Sequence, residues 1–98
     1  MKTIELSLKD DFKDIEILCD ALSSGTRLNL LKKIVEENGE LSHQDLAEKL
    51  GITSSGITHN LTGLILAELV DEEDGKGLKG RKIKKPKCLI DKIIIKVF

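Results

Sequence analysis

Only Gly51-Ile52-Thr53 separates two stretches of helical periodicity, one opening at Ser42 and the other spanning about 53–67. A break that short leaves the two helices no freedom to lie far apart, and it is the spacing of a helix-turn-helix. In the first stretch Leu46, Ala47 and Leu50 share one face. Ser42 is a natural N-cap, with Asp45 placed to return a hydrogen bond as a short-armed capping box. Gly51 follows at once as a stop. In the second stretch Thr53 is the cap, and Ile57, Leu61 and Leu64 point inward.

Upstream, Thr3 to Leu8 alternates with Ile4, Leu6 and Leu8 on one face, which predicts a short strand. Asp10 or Asp11 can cap a helix carrying Phe12, Ile15, Leu18, Cys19 and Leu22 at helical spacing. After the break Ser23-Ser24-Gly25-Thr26, a further helix shows Leu28, Leu31, Ile34 and Val35 and stops at Asn38-Gly39. The 98 residues suffice for one core. Phe12 and Phe98 are the only aromatic residues, so that core is aliphatic. The scarcity also argues against folds that bind single strands by stacking bases on aromatic platforms.

Charge is divided unevenly along the chain. Residues 1–75 carry seven basic and sixteen acidic side chains, whereas residues 76–98 carry nine basic and one acidic. Gly75, Gly77 and Gly80 interleave with Lys76, Lys79, Arg81 and Lys82, the composition of a hairpin tip. Pro86 suits a strand start or a sheet edge. Lys87 to Ile90 and Ile93 to Phe98 read as strands. Helices, a tight turn and a basic hairpin in that order predict an α+β chain. The expected fold is a winged helix-turn-helix over residues 1–98, with a helical core, a β-hairpin wing at about 71–88 and short terminal strands. Cationic segments of this kind point to a polyanion partner.

Particular residues strengthen this reading. Ala21-Leu22-Ser23-Ser24-Gly25-Thr26-Arg27 resembles the opening of transcriptional regulators of the arsenical-resistance-repressor (ArsR) type, with Gly25 where the family has proline. Leu41 to Gly51 resembles that family's first motif helix, and Ile52 to Leu61, with Ser54-Ser55-Gly56-Ile57-Thr58-His59, resembles its recognition helix. The resemblance covers about Cys19 to Val70. It implies a dimeric regulator of double-stranded DNA in which Ser54, Ser55, Thr58 and His59 face the DNA. Thr62 stands where the family often has a basic residue. The residues themselves agree, because Ser54, Ser55, Thr58 and His59 fall at the start and on the outer side of the helix whose inner face is Ile57, Leu61 and Leu64. Gly56 and Gly63 lie mid-helix, where each either permits a close approach to DNA or to a neighbouring helix or is simply tolerated at a cost of about 1 kcal/mol.

The expected DNA-contacting set is Ser54, Ser55, Thr58, His59 and Thr62 on the helix, with Lys76, Lys79, Arg81 and Lys82 on the wing. A homodimer is expected through the chain ends and the first helix, using Ile4, Leu6, Phe12, Ile15, Leu18, Ile94 and Phe98. No pair of Cys or His has local metal-ligand spacing, and Cys19 reads as a core residue. Neither a catalytic constellation, a cofactor motif nor a small-molecule site is evident, so no enzyme is expected. Two widely separated cysteines, no long apolar run and an N-terminus unlike a secretory signal give the expectation of a cytoplasmic protein with reduced thiols and no membrane partner. Two other functions fit the same features: a winged-helix module for protein–protein interaction, and a non-specific architectural DNA-binding protein.

Overall fold

Polar caps and left-handed residues set most of the element ends. The computed structural model describes residues 2–98 apart from the side chain of Leu78. Its elements are β1 (Lys2–Ser7), α1 (Phe12–Ala21), α2 (Gly25–Glu36), α3 (His43–Leu50), α4 (Ser54–Leu66), β2 (Val70–Lys76), a 3-10 turn (Leu78–Gly80), β3 (Lys82–Cys88) and β4 (Ile90–Lys96). Ser24 caps α2 by accepting from the Arg27 amide. At α3 both halves of the expected capping box form, Asp45 N to Ser42 Oγ at 3.2 Å and Ser42 N to Asp45 Oδ2 at 3.3 Å. Gly51 ends α3 in the left-handed region at φ 69, where a side chain would add strain. Thr53 Oγ1 then accepts from Gly56 N at 3.0 Å and opens α4. Caps of this type are each worth about 1 kcal/mol, so the short turn is stabilised from both sides. Asp11 behaves differently from expectation. It stands at the N-cap of α1, but its carboxylate accepts from the Ser7 amide at 2.8 Å and closes the turn after β1 instead.

The core is aliphatic. Leu30, Ile34, Leu46, Ile57, Leu61, Leu64, Leu69 and Val70 are almost fully buried and form one cluster with Leu18, Ala47 and Ile90. Two helices present faces other than those expected. In α2 the buried residues are Leu30 and Ile34, while Leu28 and Val35 are exposed. Apolar residues at 28, 30, 31, 34 and 35 fit two overlapping stripes, and packing against α4 selects the one that contains Leu30. In α1 Ile15, Leu18 and Ala21 are buried, but Phe12 is exposed and so is Cys19. Cys19 is therefore not a core residue.

The strands form two separate ladders. β2 and β3 are antiparallel, pairing Val70 with Cys88 and Lys76 with Lys82. β1 and β4 are parallel and pair within the chain, Ile4 with Ile93 and Leu6 with Ile95. The C-terminal strand bounds thus differ from the expected 87–90 and 93–98. β3 begins five residues earlier, because its lysines face the carboxylates of β2, and β4 ends at Lys96, where β1 runs out. Pro86 is buried in the middle of β3 opposite Glu72, tolerated because each strand of a two-stranded ladder has a free edge. The Leu89 amide donates to the Leu69 carbonyl at 2.9 Å and ties the break between β3 and β4 to the end of α4. Helices α2 to α4 followed by the β2–β3 hairpin make this an α+β winged helix-turn-helix, with β1, α1 and β4 added around it.

Candidate nucleic-acid interface

Burial of Ile57, Leu61 and Leu64 against α2 and α3 fixes the rotation of α4. Ser54, Ser55, Thr58, His59 and Thr62 are all exposed as a result. They form the polar outer side that the sequence predicts. Several of their hydroxyl protons are already engaged. Thr58 Oγ1 lies 3.1 Å from the Ser54 carbonyl, and Thr62 Oγ1 lies 3.0 Å from the Thr58 carbonyl. Such bonds back to the preceding turn are the usual local alternative for a helical threonine. Each oxygen keeps its accepting capacity, and both side chains are exposed.

The wing is less uniformly basic than its sequence. Cross-strand register sets Asp71 opposite Lys87, Glu73 opposite Lys85 and Asp74 opposite Lys84. Lys87 pairs with Glu73 at 3.3 Å, and Lys85 with Glu40 of the loop before α3 at 3.7 Å. Away from the hairpin, Lys96 pairs with Glu5 at 3.1 Å. The acidic strand therefore offsets much of the positive charge of residues 82–88. The tip is different. Lys76 and Lys82 stand directly opposite each other, a repulsive arrangement in isolation. Lys79 and Arg81 complete the group. Among the described residues none of these four has an ion-pair partner. Lys84 also lacks an ion pair among the described residues, but it faces Asp74 across the ladder, whereas the four at the tip face no carboxylate of the partner strand. The tip turns through Lys79 and Gly80, both with positive φ, and is closed by Gly77 N donating to Arg81 O at 2.6 Å.

A contact not foreseen from sequence joins these two parts. His43, the first residue of α3, lies with Nδ1 3.3 Å from Thr58 Oγ1 of α4 and Nε2 2.9 Å from Glu72 Oε1 of β2. Its side chain is about one quarter exposed. Nothing in the local sequence marks it, because its partners lie 15 and 29 residues away. The same end of α3, Ser42 to Asp45, lines a cleft of about 390 Å³ with Gly77, Arg81 and Lys82 to Lys84 of the wing. The start of α3 thus adjoins Thr58 of α4 through His43 and the wing through Glu72 and the cleft. Gly63 serves the scaffold. A Cβ there would lie 2.9 Å from Arg27 Cζ, so glycine admits the Arg27 guanidinium against α4. Arg27 Nη1 donates to the Asp20 carbonyl at 3.0 Å and links the end of α1 to that packing.

The expected interface between copies is only partly accessible. Ile15 and Leu18 are buried inside the chain and cannot also form an external contact, since α1 turns that face toward the core. Ile4 and Leu6 are half-buried against the core cluster, while Phe12, Ile94 and Phe98 are exposed. Among the described residues no group of three or more His, Cys, Asp or Glu side chains is arranged to hold a metal ion. Among the same residues no helix is long and apolar enough to cross a membrane.

Comparison with known proteins agrees with this geometry. Residues 24–71, from the cap of α2 to the start of β2, match the family described as winged helix-turn-helix DNA-binding. A solved structure described as a possible transcriptional regulator from Methanosarcina mazei Go1 superposes with a TM-score of 0.61 at 17% identity. The match covers 78% of this chain and 65% of that one, so the chain spans just under two thirds of its relative, and the likeness is one of fold. No curated protein sequence matches the chain.

Proposed function

We propose that this chain is a sequence-specific regulator of transcription that binds double-stranded DNA, with α4 in the major groove and the wing tip on neighbouring phosphates or in the minor groove. The observation that carries the reading is the shared surface. Thr58 on the exposed face of α4 and Arg81 and Lys82 of the tip flank one helix terminus, the start of α3. The major groove presents a distinct donor and acceptor pattern for each base pair, and a helix start is the part that reaches it. The wing cations supply charge that phosphates would neutralise. The motif resemblance supports a regulator of the ArsR type acting in the cytoplasm. No catalytic step, cofactor or small-molecule ligand belongs to this reading. Thr58→Ala and His59→Ala should each lower the ratio of specific to non-specific binding by roughly 1–3 kcal/mol, the size expected for one interaction with a base edge. Binding assays on a selected duplex and a scrambled one measure that ratio, and equal losses on both would leave these residues only a positioning part.

The regulator acts in this reading as a symmetric dimer, because one short helix reads few base pairs, and two-fold symmetry sets two such helices about 34–36 Å apart. The β1–β4 ladder supports this. Among the described residues it has two strands and no further strand on its outer edges, and Ile94 and Ile95 are more than a third exposed. Open apolar edges invite pairing. Light scattering at tens of micromolar should give twice the chain mass, and Ile94→Lys combined with Ile95→Lys should halve it and weaken DNA binding. A monomeric wild type that still binds one site tightly would contradict the dimer.

A further inference from the structure

We propose that His43 is the residue that positions Thr58 and the wing together, so that Thr58, whose hydroxyl proton is kept by the protein, meets DNA only as an acceptor of hydrogen bonds. The inference rests on the DNA-binding reading and adds the chemistry that one position of the site would select. It starts from the protons. Glu72, as a carboxylate, only accepts, so the 2.9 Å contact requires the proton of His43 on Nε2. In the neutral ring Nδ1 is then an acceptor, 3.3 Å from Thr58 Oγ1. Thr58 has one hydroxyl proton and two acceptors of the protein within reach, His43 Nδ1 and the Ser54 carbonyl at 3.1 Å. Whichever takes it, the proton is spent on the protein side. A protonated His43 would donate from Nδ1 as well, and would send the Thr58 proton to Ser54. In every one of these states the outward side of Thr58 Oγ1 carries lone pairs and no proton.

A fixed acceptor discriminates. Adenine N6 and cytosine N4 present amino donors in the major groove, whereas guanine O6 and N7 and thymine O4 are acceptors. Phosphate oxygens are acceptors too. Thr58 is thus suited to an adenine or cytosine edge and poorly suited to the DNA backbone. The same imidazole binds β2 through Glu72, so the spacing from Thr58 to the wing is set by one side chain on a third element. Gln can replace both functions of this ring, donating from its amide nitrogen to Glu72 and accepting at its oxygen from Thr58, whereas Leu replaces neither.

The test is site selection from a random duplex library with the wild type, Thr58→Val, His43→Leu and His43→Gln, each first checked for wild-type thermal unfolding. Thr58→Val keeps shape and removes the acceptor. It should erase a preference for adenine or cytosine at one position of the site, by roughly tenfold in affinity. His43→Leu leaves the Thr58 proton on the Ser54 carbonyl but frees the side chain from the wing, so it should weaken the same preference through lost positioning, and His43→Gln should restore it. If His43→Leu unfolds the protein, His43→Ser, too short to reach either partner, takes its place in the comparison. The proposal is overturned if the preference erased by Thr58→Val is for guanine or thymine. It is overturned equally if a folded His43→Leu selects the wild-type site unchanged, or if His43→Gln fails to restore it. A wild type that selects no site at all overturns the DNA-binding reading itself, an outcome distinct from these.

Discussion

Replacing Lys79, Arg81 and Lys82 together with Ala should weaken binding to every duplex, specific or random, and flatten its dependence on salt by about one logarithmic unit for each phosphate that is no longer neutralised. The expectation follows from where the charge is free. Lys85 and Lys87 are engaged by carboxylates of the protein, and Lys84 lies opposite Asp74. The tip cations have no such partners among the described residues. A control triple variant, Lys84→Ala with Lys85→Ala and Lys87→Ala, should change the salt slope much less, although it carries the same change in net charge. Titration by fluorescence anisotropy from low to physiological salt measures both slopes. If the two variants behaved alike, binding would depend on net charge and not on the tip.

Leu30→Ala should destabilise the fold by about 2–5 kcal/mol, the range for truncating a buried leucine. Leu30 is fully buried between α2 and the motif helices. A loss of that size is a large part of the roughly 5–15 kcal/mol typical of a small domain. Leu28→Ala, two residues away but exposed, should stay within about 0.5 kcal/mol of wild type. Urea unfolding of the two variants separates the faces of α2. A costly Leu28→Ala would show that this leucine is covered in solution, by a partner copy or otherwise.

The contrast between those two leucines shows where the sequence is informative. The helix-turn-helix was legible because each boundary is decided locally. Ser42 with Asp45, Gly51 and Thr53 act within a few residues of themselves, and Ile57, Leu61 and Leu64 leave only one inner face for α4. The exposure of Ser54, Ser55, Thr58, His59 and Thr62 follows from the same pattern. Other features depend on partners far along the chain. The face of α2 is chosen by packing, since its apolar residues allow two answers. The strand ends after Lys82 follow from pairing with β2 and β1, and β1 meets β4 across almost the whole sequence. The basic run near the C-terminus overstated the charge of the wing, because register places the acidic run of residues 71–74 against it. His43 was passed over for the same reason, as both of its partners are remote in sequence.

The central claim is that the exposed face of α4 reads a particular duplex sequence. Its most direct test is the affinity of the purified protein for a duplex recovered by selection from a random library, against a scrambled duplex of equal length, at physiological salt. Specific regulators bind their sites about a thousandfold or more tighter than random DNA, and a ratio of that order is expected here. Equal affinities for the two duplexes, or no binding to either, would contradict it.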